Sequence, residues 1–149
     1  LHSLTAKQKG TAGVADEVRI PINSEYDIVT ARKIGRELAA QIGFSSAEQV
    51  AIATAISEIA RNIVQFARHG EMSIGIVRQG DRRGIVIVAR DEGPGIPDIN
   101  LAMQDGYSTG GGLGLGLPGS KRMMDEFDII STVGKGTKVT MKKWIRKNA

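Results

Sequence analysis

The chain has 149 residues, one domain's length, and its 41% hydrophobic and 24% charged content matches ordinary globular proteins. A formal charge of +4 favours acidic or phosphate-bearing partners, while Phe44, Phe66, Phe127, Tyr26, Tyr107 and Trp144 are too scattered to form a base-stacking strand, so nucleic acid is not expected. Zero cysteines exclude a disulfide scaffold and thiolate chemistry, His2 and His69 cannot cage a metal by themselves, and no apolar run reaches the roughly 18 residues of a membrane span, so a cytoplasmic protein is expected.

Residues 1–16 mix small, polar and Lys residues without an apolar period and read as a flexible leader or a cloning remnant, leaving 17–149 as a single domain. Val18, Ile20 and Ile22 then alternate with Arg19 and Pro21, which predicts a strand at a sheet edge or a strand end. Asn23 or Ser24 can cap a helix carrying Ile28, Ala31, Ile34, Leu38 and Ile42 at helical spacing, stopped by Gly43. Ser45 or Ser46 opens a second helix running to about Arg68, with Ile52, Ile56, Ile59, Ile63 and Phe66 on one stripe. Glu58 and Asn62, four residues apart, lie about 40° from one another on a different face of that helix.

Two β-rich runs at 72–78 and 84–90 predict an antiparallel hairpin, and runs at 127–133 and 138–144 predict another. Between them, residues 93–119 are crowded with glycine and proline before helical character resumes at 120–125. The order contains no repeated strand–helix–strand unit. It predicts an α+β sandwich with helices packed on one face of a mixed, mainly antiparallel sheet.

The Gly-rich segment 110–119 can bring backbone N–H groups around an anion, phosphate above all. Motif order separates the nucleotide readings. Gly114 to Gly119 has the glycine spacing of a Walker A loop, but Ser120-Lys121 follows where Lys-Ser would be needed, which puts both side chains in the wrong place. The same residues fit G-x-G-x-x-G, yet they follow a loop rather than a strand, against a dinucleotide-binding turn. The H-R-D and D-F-G elements of eukaryotic-type kinases are absent. On its own, the segment also reads as a plain glycine loop.

Three elements combine: Glu58-Ile59-Ala60-Arg61-Asn62, Asp91-Glu92-Gly93-Pro94-Gly95, and the loop 110–116. Together they resemble the N, G1 and G2 boxes of the GHKL ATPase superfamily, over about residues 17–145. Within it, residues 105–109 and 119–127 are similar to the RsbT-type serine/threonine switch kinases of bacterial stressosomes. The resemblance implies the Bergerat α/β sandwich, ATP with Mg²⁺ as cofactors, and a lid over residues about 96–112.

It also implies roles. Asn62 would ligate Mg²⁺ through its side-chain oxygen, and Asp91 would accept from the adenine amino group. Gly93 and Gly95 would let the turn pass close to the base; Gly110, Gly112, Gly114 and Gly116 would donate to phosphates, with the following helix start adding its positive end. Thr137 would support Asp91 from a neighbouring strand, and Glu58 would be the base for a Ser or Thr hydroxyl. Arg61 has two readings, contact with the γ-phosphate or pairing with a surface acid. Lys121 and Arg122 read as a solvated helix start, and His69 as a structural cation near a helix end. The basic tail of Lys142, Lys143, Arg146 and Lys147 reads as a solvated strand end.

The implied function is phosphorylation of STAS-domain scaffold and antagonist proteins, followed by a partner switch that activates a downstream phosphatase. A sequestering anti-sigma factor that phosphorylates its STAS-domain antagonist shares the same nucleotide boxes. A histidine-kinase ATPase domain would need a separate phospho-acceptor, since neither histidine sits where one belongs.

Overall fold

The computed structural model describes residues 13–104 and 116–146. Five strands, β1 (Gly13–Ile22), β2 (Gly70–Gln79), β3 (Arg82–Asp91), β4 (Glu126–Thr132) and β5 (Gly136–Trp144), form one sheet in the order β1-β2-β3-β5-β4. All four pairings are antiparallel. Helices α1 (Glu25–Ile42) and α2 (Ser46–Asn62) pack against each other and lie over the sheet. Short helices α3 (Ile99–Ala102) and α4 (Gly116–Met123) complete the described elements. This is the expected α+β architecture.

Strand β1 is an edge strand, the place in a sheet where a proline such as Pro21 is tolerated. It begins at Gly13, so residues 13–16, expected in the leader, belong to the sheet; the register shifts between Ala15 and Val18, with Asp16 at φ 52°. The two hairpins stand where alternation placed them, and their inward residues Met72, Ile74, Ile85, Ile87, Val139 and Met141 meet the helices in one core.

Helix α2 is fixed at both ends by local chemistry. Ser45 caps it: its hydroxyl accepts from the Glu48 N–H at 3.2 Å, and the Glu48 carboxylate accepts from the Ser45 N–H at 3.0 Å. Its stripe of Ile52, Ile56, Ile59 and Ile63 is buried. Together with the following turn it makes a 22-residue helical run, Ser46–Ala67, whose length and mean hydropathy of 1.2 would suit a bilayer span, yet 44% of its apolar window is buried inside the protein. Packing against the sheet accounts for those side chains.

One expectation fails at the end of this helix. Residues Ile63–Ala67 form a π-helical turn, closed by the Arg68 N–H donating to the Ile63 carbonyl at 2.7 Å. A π turn advances each residue by a smaller angle than an α turn, so Phe66 leaves the buried stripe and stands 43% exposed. The added turn also brings Ala67 towards the end of β3.

Candidate functional site

A cleft of about 390 Å³ opens between α2, its π turn and the ends of β3 and β5. Glu58 and Asn62 face it from α2; Asp91 and Thr137 face it from the two strands. Helix phase and strand register thus bring together groups 79 residues apart in the chain, from Glu58 to Thr137. Ala89, Ile129, Val139 and Ile63 line its interior, and Pro94 to Asp98 with Leu101 and Ala102 form one side. A narrow apolar slot with a few polar groups suits a flat heteroaromatic ring attached to a charged tail.

Asp91 ends β3 and is the cross-strand partner of Thr137. Its Oδ1 accepts from the Gly93 N–H at 2.9 Å, which orients the carboxylate into the cleft. The glycines of the turn are demanded by the protein's own packing. A Cβ on Gly93 would lie 2.6 Å from the Ala67 Cβ, and one on Gly95, at φ 79°, would lie 2.5 Å from the Thr132 carbonyl oxygen. The family resemblance assigns both glycines to the base; their close approaches within the protein are to the π turn and to β4. The turn is tied further by the Gly134 N–H, which donates to the Pro94 carbonyl at 2.8 Å.

Ser131 was missed. Its hydroxyl accepts from the Ile96 N–H at 2.7 Å, lies 2.8 Å from the Thr137 hydroxyl and reaches the Gly136 carbonyl at 3.2 Å. The available signal is a polar residue at an inward position of β4, after Phe127 and Ile129 in strict alternation.

Glu58 is nearly buried, its side chain 13% exposed. Its Oε1 accepts from the Gly116 N–H at 3.1 Å and its Oε2 faces the Arg61 guanidinium at 3.4 Å. Arg61, read either as a γ-phosphate contact or as the partner of a surface acid, here pairs with Glu58, a largely buried acid. Gly116, expected to donate to phosphate, begins α4, and its N–H is directed to this carboxylate, an anion on a helix start. Gly110, Gly112 and Gly114 lie outside the described residues. Lys121 is exposed on α4, and His69 Nδ1 meets Asn23 Oδ1 at 3.2 Å, in keeping with structural readings.

Among the described residues no three His, Cys, Asp or Glu side chains cluster around a metal position. The donor set at the cleft is the Asn62 amide beside Glu58, which suits a cation held mostly by phosphates and water rather than a protein cage.

A carboxylate and an amide on one helix, opposed across a slot by an Asp turn on an antiparallel sheet, define a nucleotide-binding ATPase fold of the Bergerat type. Residues 20–143 match the histidine kinase-like ATPase domain family, and the chain belongs to it. It is 50% identical over 131 residues to the serine/threonine-protein kinase RsbT of Bacillus subtilis (strain 168), covering 88% of this chain and 98% of that one. It is 36% identical to the anti-sigma F factor of Caldanaerobacter subterraneus subsp. tengcongensis, over 79% of this chain and 85% of the relative. The solved RsbU and RsbW domains of a Mycobacterium tuberculosis protein share the fold, with a TM-score of 0.59 at 19% identity, over 87% of this chain and 32% of that chain.

Proposed function

We propose that this chain is an ATP-dependent protein serine/threonine kinase that phosphorylates STAS-domain proteins of a stressosome. On leaving that scaffold it activates a downstream phosphatase. The cleft that joins Glu58 and Asn62 to Asp91 and Thr137 carries the reading, together with the half-identical match along nearly the whole length of a serine/threonine kinase. We take the protein to act in the cytoplasm, as one catalytic domain.

Adenine fills the apolar slot and donates its amino hydrogen to Asp91, whose orientation the Gly93 N–H fixes. Asn62 would hold a Mg²⁺ through its side-chain oxygen; when bound, that ion neutralises charge on the phosphates. Glu58 serves as the base. In the transfer, the substrate hydroxyl oxygen bonds to the γ-phosphorus while the bond from that phosphorus to the β,γ-bridging oxygen breaks. ADP leaves with the electron pair, and the hydroxyl proton passes to the Glu58 carboxylate.

Incubation with γ-labelled ATP and a purified STAS-domain protein tests the assignment. Label should appear on Ser or Thr of the partner, and Asn62→Ala and Asp91→Asn should each remove most of it. Undiminished transfer in both would overturn the site. The match to an anti-sigma F factor favours a second reading, in which the chain also sequesters a sigma factor. Stoichiometric binding of a purified sigma factor, reversed by the unphosphorylated STAS antagonist, would decide for it.

A further inference from the structure

We propose that Arg61 is a positioning residue for phosphoryl transfer: its guanidinium holds the Glu58 carboxylate in the orientation in which it receives the hydroxyl proton. The proposal rests on Glu58 being the base. Glu58 is 13% exposed and Arg61 41% exposed, and they sit one helical turn apart at 3.4 Å, so the pair spans from the cleft wall to its mouth. Each carboxylate oxygen has its own donor, Gly116 N–H on Oε1 and Arg61 on Oε2. Those two donors differ in one respect. The Gly116 N–H begins a helix and faces the cleft, so an arriving phosphate competes with Glu58 for it. Once that bond is given up, Arg61 is the donor left to orient the base. Both side chains come from α2, whose N-terminus is capped and whose apolar stripe is buried, so the backbone that carries the pair is held in place.

A guanidinium acting through Glu58 and one acting directly on the γ-phosphate make different predictions. The test uses the full chain as wild type, Arg61→Ala, Arg61→Lys, Glu58→Gln and the Arg61→Ala/Glu58→Gln double variant. Single-turnover transfer from γ-labelled ATP to a purified STAS-domain protein is measured beside the affinities for Mg-ATP and Mg-ADP. Arg61→Ala should lower the transfer rate about tenfold or more with KM for the protein substrate unchanged, and Arg61→Lys should recover most of that rate. In the Glu58→Gln background the same Arg61→Ala change should cost less than about twofold, because the group it orients is gone. Within each background, with Glu58 intact or as Glu58→Gln, the ratio of ATP to ADP affinity should be the same before and after Arg61→Ala. An Arg61→Ala loss of the same size with and without Glu58 would overturn the proposal, as would a fall in the ATP-to-ADP ratio, which would mark a γ-phosphate contact. A full-rate Arg61→Ala variant would overturn it too. A wild type that transfers nothing would instead remove the kinase reading on which it stands.

Discussion

The hydroxyls of Ser131 and Thr137 lie 2.8 Å apart, on neighbouring strands, in register with Asp91 on the strand next to them. Ser131 also takes the Ile96 N–H, so one small side chain joins β4, β5 and the loop that walls the cleft. Removing it strands a half-buried backbone donor. Ser131→Ala should therefore destabilise the fold by about 1–3 kcal/mol. It should also weaken ATP several-fold, by about 1 kcal/mol, through the loosened wall. Thermal melting with and without Mg-ATP reads both effects. An unchanged melting temperature would mean that Ile96 finds another acceptor at no cost.

Asp91→Asn tests the adenine assignment by polarity. The Gly93 N–H demands an acceptor, so the amide oxygen of the variant should stay there and its NH₂ should face the slot. A donor then meets the amino group of adenine. ATP affinity should fall about 10- to 100-fold, while GTP, whose ring offers a carbonyl at that position, should lose much less. Calorimetric titration with both nucleotides gives the ratio. Equal losses for ATP and GTP would place the base elsewhere in the cleft.

The turn after Asp91 makes a stability prediction that can be reversed. A methyl group on Gly93 would press on Ala67 in the π turn, 2.6 Å from its Cβ and 2.9 Å from its Cα. Gly93→Ala should lower stability by about 1–3 kcal/mol, the usual cost of overpacking. Adding Ala67→Gly opens the space and should restore part of that loss, beyond what the two changes would give as independent sites. Chemical denaturation of the three variants measures the coupling. Strict additivity would show that the methyl group presses on something other than Ala67, with the Asp91 Oδ1 at 3.2 Å the next neighbour.

Much of this arrangement was legible because it is local. The period of Ile52, Ile56 and Ile59 defines a buried face, and the same phase leaves Glu58 and Asn62 together on another. Hairpin alternation set the two strand pairs, whereas the cross-strand match of Asp91 with Thr137 joins one hairpin to the other and was expected only from the family resemblance. What escaped depends on tertiary contact. Nothing in the sequence Ile63 to Ala67 announces a π turn, since its apolar residues continue the α-helical period through Phe66; the turn answers to the Gly93 segment packed beside it. The short helix Ile99–Ala102, capped by Asp98 accepting from the Leu101 N–H, was hidden inside a stretch dominated by Gly and Pro. Ser131 shows in the sequence only as a polar residue at an inward position of β4; its role needs the strand order, which places its hairpin partner Thr137 beside Asp91.

Glu58→Gln separates the chemical role of the carboxylate from its place in the cleft. In the role of base proposed for it, Glu58 would accept the substrate proton, which an amide cannot do, so transfer to a Ser or Thr hydroxyl should fall by about 100-fold or more. Nucleotide affinity should move the other way. The carboxylate now occupies the Gly116 N–H at the start of α4, where a phosphate oxygen would compete for the same donor, and its negative charge opposes that of the phosphates. A neutral amide is a weaker acceptor and carries no charge, so Mg-ATP should bind as tightly as to the wild type or up to about tenfold more tightly. Fluorescence titration of Mg-ATP beside the transfer assay reads the two effects on one preparation. A loss of affinity in step with the loss of rate would show that Glu58 holds the nucleotide rather than yielding to it, and would remove both its role as base and the competition at Gly116.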